Sequence, residues 1–383
     1  MNNTKDNRGG YRLKEAATEG QKSLIRLAAI NQTTQRSIPT PTEEWNASRR
    51  FIKWGDDNLY PYYLLNLYRS VTTLRSIIDG AVNYTVGDEV SVDRFGGKMN
   101  RTGETARDLV RKMAFDYWLF GGFALQVIRS NDNKIAELYH LPMQFVRTDK
   151  EGEVFYYSEQ WDKRGGRSLK VTQYPKFVPK FDPNVSDGKS SIYLFKSSHL
   201  SAYPEPQYLA AVRACEIEKS IDEYHLNSIE NGFLGSYIFQ FNNGTPNDTM
   251  MAEIEANVNE KFSGSANAGR IMLVFNDDKE TAMTVERVEQ PDFAERYNSL
   301  ASHCRQQIFS AFHANPNLFG IPTENLGFNN EEYEASFKLF NRTMIQPVQD
   351  AIVDSFDYIF SKRVKVAIKP FSIDRTDTNT IVE

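Results

Sequence analysis

SHCRQQIFSAFHANPNLFGIPTENLGFNNEEYEASFKLFNRTMIQPVQDAI, Ser302 to Ile352, holds two helical patterns around an irregular connector. Ahead of the connector, Phe293, Tyr297, Leu300, Cys304, Ile308 and Phe312 recur at three- and four-residue spacing, which predicts one helix over 291–313. Behind it, Tyr333, Phe337, Phe340, Met344, Val348, Ile352, Phe356 and Ile359 keep one phase and predict a longer helix over 330–360. Pro347 stands inside that helix. It lacks a backbone donor and its ring meets the carbonyl of Thr343, so a kink is expected. The connector, residues 314–329, is rich in Asn, Gly and Pro yet carries Leu318, Phe319, Ile321, Leu326 and Phe328. A substrate loop, a partner-binding loop and a loop repeated in many copies all fit that mixture.

Residues 206–231 are helical in pattern as well, with Leu209, Val212, Ile217, Ile221, Tyr224 and Ile229 as the apolar stripe and Gly232 as a C-terminal stop. The other faces are acidic: Glu216, Glu218, Asp222, Glu223 and Glu230 against Arg213 and Lys219. Between this helix and the one starting near Pro291 lies an insert. SYIFQF reads as a strand, Thr249 to Phe262 as a helix and RIMLVF as a returning strand. Two long helices thus frame a small α/β unit. They form either a stalk whose flanks pack on further copies around an axis, or a hairpin folded onto its own lobe. A lone stalk has to cover Tyr208, Tyr224, Phe293 and Phe312 at once.

Residues 1–49 read as a polar arm. A helix follows, capped by Asp57 or Asn58, with Pro61 in its first turn and Leu64, Tyr68, Val71, Leu74 and Ile78 in phase up to Gly87-Asp88. Asp56-Asp57 reads as capping, since no His or third acid stands at ligand spacing. A helix over 106–117 precedes a strand-rich stretch over 121–195: GGFALQVIR, KIAELYHL, MQFVRT, EVFYYSEQ and SIYLF. RVKVAIKPF is a final strand. Helices segregated from a mostly antiparallel sheet make an α+β fold.

Length and composition narrow the function. At 383 residues the chain predicts two or three lobes, and 40% apolar residues suffice for real cores. A net charge of -5 argues against a tight phosphate-binding groove. Cys215 and Cys304, both in predicted helices, give no disulfide framework and point to a compartment that is reducing or indifferent. No apolar run approaches a membrane span, and MNNTKDNRGG lacks a signal-peptide core, so a cytoplasmic protein is expected. The histidines, His140, His199, His225, His303 and His313, have no metal-ligand spacing. Gly96-Gly97-Lys98-Met99 lacks the upstream Gly and the hydroxyl residue of a phosphate loop. His303 and Cys304 are neighbours on a helix and point apart, so a hydrolase built on them, or on His140, needs tertiary help. No catalytic, cofactor-binding or metal residue is read from the sequence, and the expectation is that the chain is not an enzyme.

The order of motifs resembles the portal proteins of tailed bacteriophages, in their compact, nearly crownless form. The resemblance is carried by WGDDNLYPYYLLNLYRSVTTLRSIIDGAVNYTVGDEV, GGFALQVIRSNDNKIAELYHLP, YPEPQYLAAVRACEIEKSIDEYHLNSIENGFLGSYIF and the opening stretch, which together span roughly residues 50 to 370. The chain has Tyr203-Pro204-Glu205-Pro206 where many relatives have Tyr-Gly-x-Ser-Pro, and Ala314-Asn315-Pro316 where they have Val-Pro-Pro. The resemblance implies a homo-oligomeric ring, usually a dodecamer, at one capsid vertex, assembled in the bacterial cytoplasm. Double-stranded DNA passes through its axis. It further implies contacts with the terminase large subunit, a head-tail adaptor and the major capsid protein, with no membrane and no cofactor. A phage adaptor or neck protein is the neighbouring alternative.

The implied domains are a wing (50–205 and 330–372), stem helices (206–232 and 291–313), a clip (233–290), a channel loop (314–329) and a short tail (373–383). Implied channel-loop residues are Asn317, Phe319, Thr323, Glu324, Asn325, Leu326 and Phe328. Glu216, Glu218, Asp222 and Glu223 would line the channel from the stem. Pro347 would mark the helix kink. Asn242, Asn243, Asp248, Glu253 and Asn267 would serve clip docking.

Overall fold

Val71 splits what the pattern predicts as one helix. It is extended (φ -107°, ψ 110°) and separates α1, Tyr60–Ser70, from α2, Thr72–Val86. The computed structural model describes residues 38–93, 96–162, 170–179, 189–230, 237–241, 249–250, 253, 271–275, 284–287, 293–321 and 330–372. They fall into two compact units, one from Gln35–Glu223 with Ala294–Glu383, the other containing Tyr224–Phe293.

In the larger unit α2 packs on α3, Ala106–Phe120, through Leu74, Ile77, Ile78 and Ala81 on one side and Leu109, Val110, Met113 and Ala114 on the other, all with no exposed surface. Burying each Leu or Ile contributes about 1.5–3 kcal/mol, so this seam anchors the unit. α3 starts on a capping box: Asp108 N donates to Thr105 Oγ1 (3.2 Å), and Thr105 N to Asp108 Oδ2 (2.9 Å). The expected cap at Asp57 or Asn58 takes another form. Asp57 accepts from Leu59 N (2.9 Å) in a turn ahead of α1, and Asn58 Oδ1 accepts from Trp54 N (3.1 Å).

The strand-rich stretch makes two antiparallel sheets. One orders β4, Gly122–Arg129, between β5, Ile135–Leu141, and β9, Ser190–Lys196. The other runs β6, Val146–Thr148, β7, Val154–Tyr157, and β8, Thr172–Pro175. A hairpin of β1, Glu43–Asn46, and β2, Phe51–Trp54, draws the end of the polar arm into regular structure. β3, Glu89–Val92, pairs with the final strand β13, Val366–Lys369. Mixed helix and antiparallel sheet is the α+β class the pattern predicts.

Helix α4, Val212–Glu230, is preceded by a 3-10 turn at Gln207–Ala211, and α5 covers Phe293–Ala311. The long second helix is interrupted. α6, Asn330–Phe340, and α7, Gln346–Phe360, are joined by a π-helical turn at Asn341–Ile345. Gln346 N donates to Asn341 O across five residues. The wider turn falls directly before Pro347, which has no N–H to continue an α ladder, so it absorbs the missing bond ahead of the proline.

In the smaller unit β10, Tyr237–Phe241, pairs in parallel with β11, Ile271–Phe275, and antiparallel with β12, Thr284–Arg287. The third strand was not expected. Of the predicted 249–262 helix, Thr249, Met250 and Glu253 are described and helical.

Candidate functional site

The connector between α5 and α6 begins as built structure. Asn315 Oδ1 accepts from Asn317 N (3.1 Å), closing a 3-10 turn at Pro316–Phe319 that ends on Gly320 in the left-handed region (φ 76°). Leu318 is buried, and its carbonyl accepts from Tyr84 Oη (2.8 Å). The Phe319 ring lies against Tyr84 (6.1 Å between centroids), Phe309 (5.9 Å) and Phe340 (5.9 Å). It also lies over Gly80, where a Cβ would stand 2.6 Å from Phe319 Cε1. Glycine inside a helix is costly, and here its missing side chain is the slot for a ring. Phe319, an implied channel-loop residue, is thus packed on α2 of its own chain. Asn317 is half-buried beside it. Thr323, Glu324, Asn325, Leu326 and Phe328 lie outside the described residues.

The acidic face of α4 divides. Glu218 Oε1 accepts from Thr73 N (3.2 Å) and Thr73 Oγ1 (2.8 Å), so it caps the N-terminus of α2, which has no side-chain cap of its own. Its Oε2 is buried without a hydrogen-bond partner. Glu216 faces Tyr63, whose phenol is pushed above its usual range by burial and then by this carboxylate. Asp222 is exposed and Glu223 half-buried. Ile217, placed on the apolar stripe by spacing, is 39% exposed, while Cys215 is fully buried in its stead. Pro347 is exposed on the first turn of α7. Glu253 is exposed, whereas Asn242, Asn243, Asp248 and Asn267 fall outside the described residues.

Two alternatives left open by the sequence narrow. Tyr208 and Phe312 are fully buried and stack on each other (5.2 Å, 21°), so the chain covers both by itself. His303 and Cys304 form no nucleophile–base pair. His303 Nε2 lies 3.0 Å from Gln307 Nε2, and burial pushes the Cys304 thiol up, away from thiolate chemistry. His140 Nε2 meets Asp116 Oδ2 (2.8 Å), which also accepts from Met143 N (3.1 Å) in a buried pocket. Among the described residues no group of His, Cys, Asp and Glu is placed to hold a metal.

Residues that spacing did not single out hold this region together. Gln349 Nε2 donates to Thr85 O (2.9 Å), satisfying a carbonyl near the end of α2. Tyr84, Gly80 and Thr73 all sit on α2. Gly80 was the one visible signal, being a glycine inside an apolar helical pattern.

A family model described as phage portal protein matches residues 100–383. An uncharacterised protein of Rickettsia felis is 31% identical over 153 residues, 39% of this chain and 36% of that protein. One of Rickettsia bellii is 28% identical over 170 residues, 43% and 42% respectively. The chain therefore matches only about two fifths of the length of these curated relatives. Among solved structures, the neck of an empty GTA particle computed with C6 symmetry aligns at TM-score 0.53 and 16% identity, over 83% of this chain and 85% of that one. The virion of a native gene transfer agent particle gives 0.51 and 16%, over 82% and 84%. The neck of the native particle computed with C12 symmetry gives 0.50 and 15%, over 88% of each. These likenesses show a shared fold, and with the family model covering residues 100–383, the chain belongs to the phage portal protein family.

Proposed function

We propose that the chain is the subunit of a ring at one capsid vertex, a dodecamer through whose axis double-stranded DNA is packaged and ejected. The family match over residues 100–383 carries this reading. The fold shared with neck chains of a particle computed with C12 symmetry supports the ring. In this reading residues 50–205 and 330–372 are the wing, 206–232 and 291–313 the stem, 233–290 the clip and 314–329 the channel loop. The clip docks the terminase large subunit and later a head-tail adaptor, with the exposed Glu253 on its surface. The wing meets the major capsid protein. The chain itself does no chemistry, and ATP hydrolysis belongs to the terminase.

The charge pattern suits passage of DNA. Lys–phosphate contacts grip a duplex and would act as friction. Residues 315–330 contain no Lys or Arg, and Glu324 is their only charge. Of the acidic residues on α4, the exposed Asp222 is free to repel a duplex, while Glu218 is engaged with Thr73.

Negative-stain images of the purified full chain test the reading: axial views should show rings with a central hole. Deleting Thr323–Gly327 should leave the rings and impair DNA packaging. A chain that stays monomeric at high concentration and in particle lysates would overturn the proposal.

A further inference from the structure

We infer that the segment following β13 holds the start of the 314–329 connector in place through Tyr84, making the two a single conformational device. The first contact is a clamp at the end of α2. Asp88 N donates to Lys369 O (3.1 Å), and Asp88 Oδ2 accepts from Ser372 N (3.2 Å). Gly87 makes the clamp possible. Its φ is 66°, and a Cβ there would stand 2.0 Å from Lys369 O.

The clamp brings Phe371 edge-on to Tyr84 (5.2 Å, 76°) and against Phe337 (6.0 Å). Tyr84 also meets Phe337 (5.5 Å), Phe340 (6.3 Å) and Phe319 (6.1 Å) edge-on, and its hydroxyl holds Leu318 O. One phenol ring therefore touches the C-terminal segment, the helix ahead of the π turn and the connector. Phe371 is half-buried and lies at a sheet edge beside the Asp88 clamp, whereas Tyr84, Phe337 and Phe340 are buried, so it is the member of the cluster most readily released. When it leaves, Tyr84 loses an edge-to-face partner and gains room to turn, and its hydroxyl draws away from Leu318 O. Packed rings shift between discrete arrangements, so the release reaches the connector as a step.

The coupling itself does not depend on the portal reading. Amide hydrogen exchange of the full chain reads it out. The amides of Leu318, Gly320 and Ile321 bond to Asn315 O (3.0 Å), Asn317 O (3.4 Å) and Pro316 O (3.2 Å). Phe371→Ala should speed their exchange about tenfold. Tyr84→Phe, which keeps the ring and removes the bond to Leu318, should do the same, and Phe371→Leu should restore most of the protection. Leu138→Ala, in the core at β5, lowers stability without singling out these amides.

Exchange unchanged by Phe371→Ala, or raised equally by Leu138→Ala, overturns the inference. If Phe371→Ala does not fold, Asp88→Ala, which removes the acceptor of Ser372 N, is read in its place; several-fold faster exchange supports the coupling and no change overturns it. Negative-stain images of the same samples separate the two proposals. Coupled exchange without rings removes the portal reading alone, and rings with uncoupled exchange remove only this inference.

Discussion

Glu218→Ala is the sharpest test of how the first half of α4 is joined to the larger unit. The substitution removes the cap of α2 and two hydrogen bonds from Thr73. A cap is worth about 0.5–2 kcal/mol, and a carboxylate on the helix dipole about 0.3–1 kcal/mol. Against this, Oε2 is buried without a partner, and removing that penalty returns about 1 kcal/mol. The net loss is about 0–2 kcal/mol, centred near 1, so the coupling to Thr73 is the deciding readout. Glu218→Gln keeps an acceptor for both Thr73 donors and loses only the dipole contribution, about 0.5 kcal/mol. Urea unfolding followed by tryptophan fluorescence is the assay. The chain has 4 tryptophans, Trp45, Trp54, Trp118 and Trp161, all in the larger unit, so the signal is blind to the smaller one. A double-mutant cycle with Thr73→Val should return about 1 kcal/mol of coupling. Glu218→Ala within about 0.3 kcal/mol of wild type, with no coupling, would refute the capping argument.

Arg147→Met should cost about 3 kcal/mol or more by urea unfolding. It strands Asn58 O (2.7 Å), Val146 O (2.8 Å) and Gln144 O (3.0 Å), which one buried guanidinium between Trp54 and Trp161 now satisfies. Glu137 is held down to about 2 by its hydrogen bonds with Arg101 and Tyr139. Because the folded value is depressed, its contribution is present above the ordinary Glu range and is lost as pH falls through that range toward about 2. Glu137→Gln should flatten the stability–pH curve in that window and leave its neutral limb's slope unchanged. Gly80→Ala gains about 1 kcal/mol of helix propensity and loses about 1–3 kcal/mol to the clash with Phe319, so stability changes little or falls. The decisive readout is displacement of the Phe319 ring resonances.

Long apolar repeats were the legible part of this fold. The stripe of α5 from Cys304 through Ile308 to Phe312, that of the α6–α7 pair, the antiparallel strands and the two-helix frame of the insert all stand in the sequence, because burial on one face imposes a period, while Leu300 on the predicted stripe is exposed. The break at Val71 is not legible, since the apolar phase continues across it. The cap of α2 comes from Glu218, far along the chain and on another helix. β12 is short, TVER, and has no alternation strong enough to mark it. The π turn is half legible: Pro347 announces an interruption, while the sequence does not say that the turn before the proline absorbs it.

Glu218 and Phe319 show one shared limit of reading by type. An acidic residue on a polar face and a phenylalanine in a Gly-rich connector both look outward when only their neighbours in sequence are considered. Each is turned inward by a partner whose role is invisible locally: a helix end without a cap in one case, a helix glycine without a side chain in the other. Under the proposed portal role, repulsion of DNA by α4 would not be a sum over its carboxylates, because the one bound to Thr73 is already neutralised in part by the amide dipoles of α2. It rests on exposed positions such as Asp222, so Asp222→Lys is the substitution whose effect on DNA passage should fade with added salt.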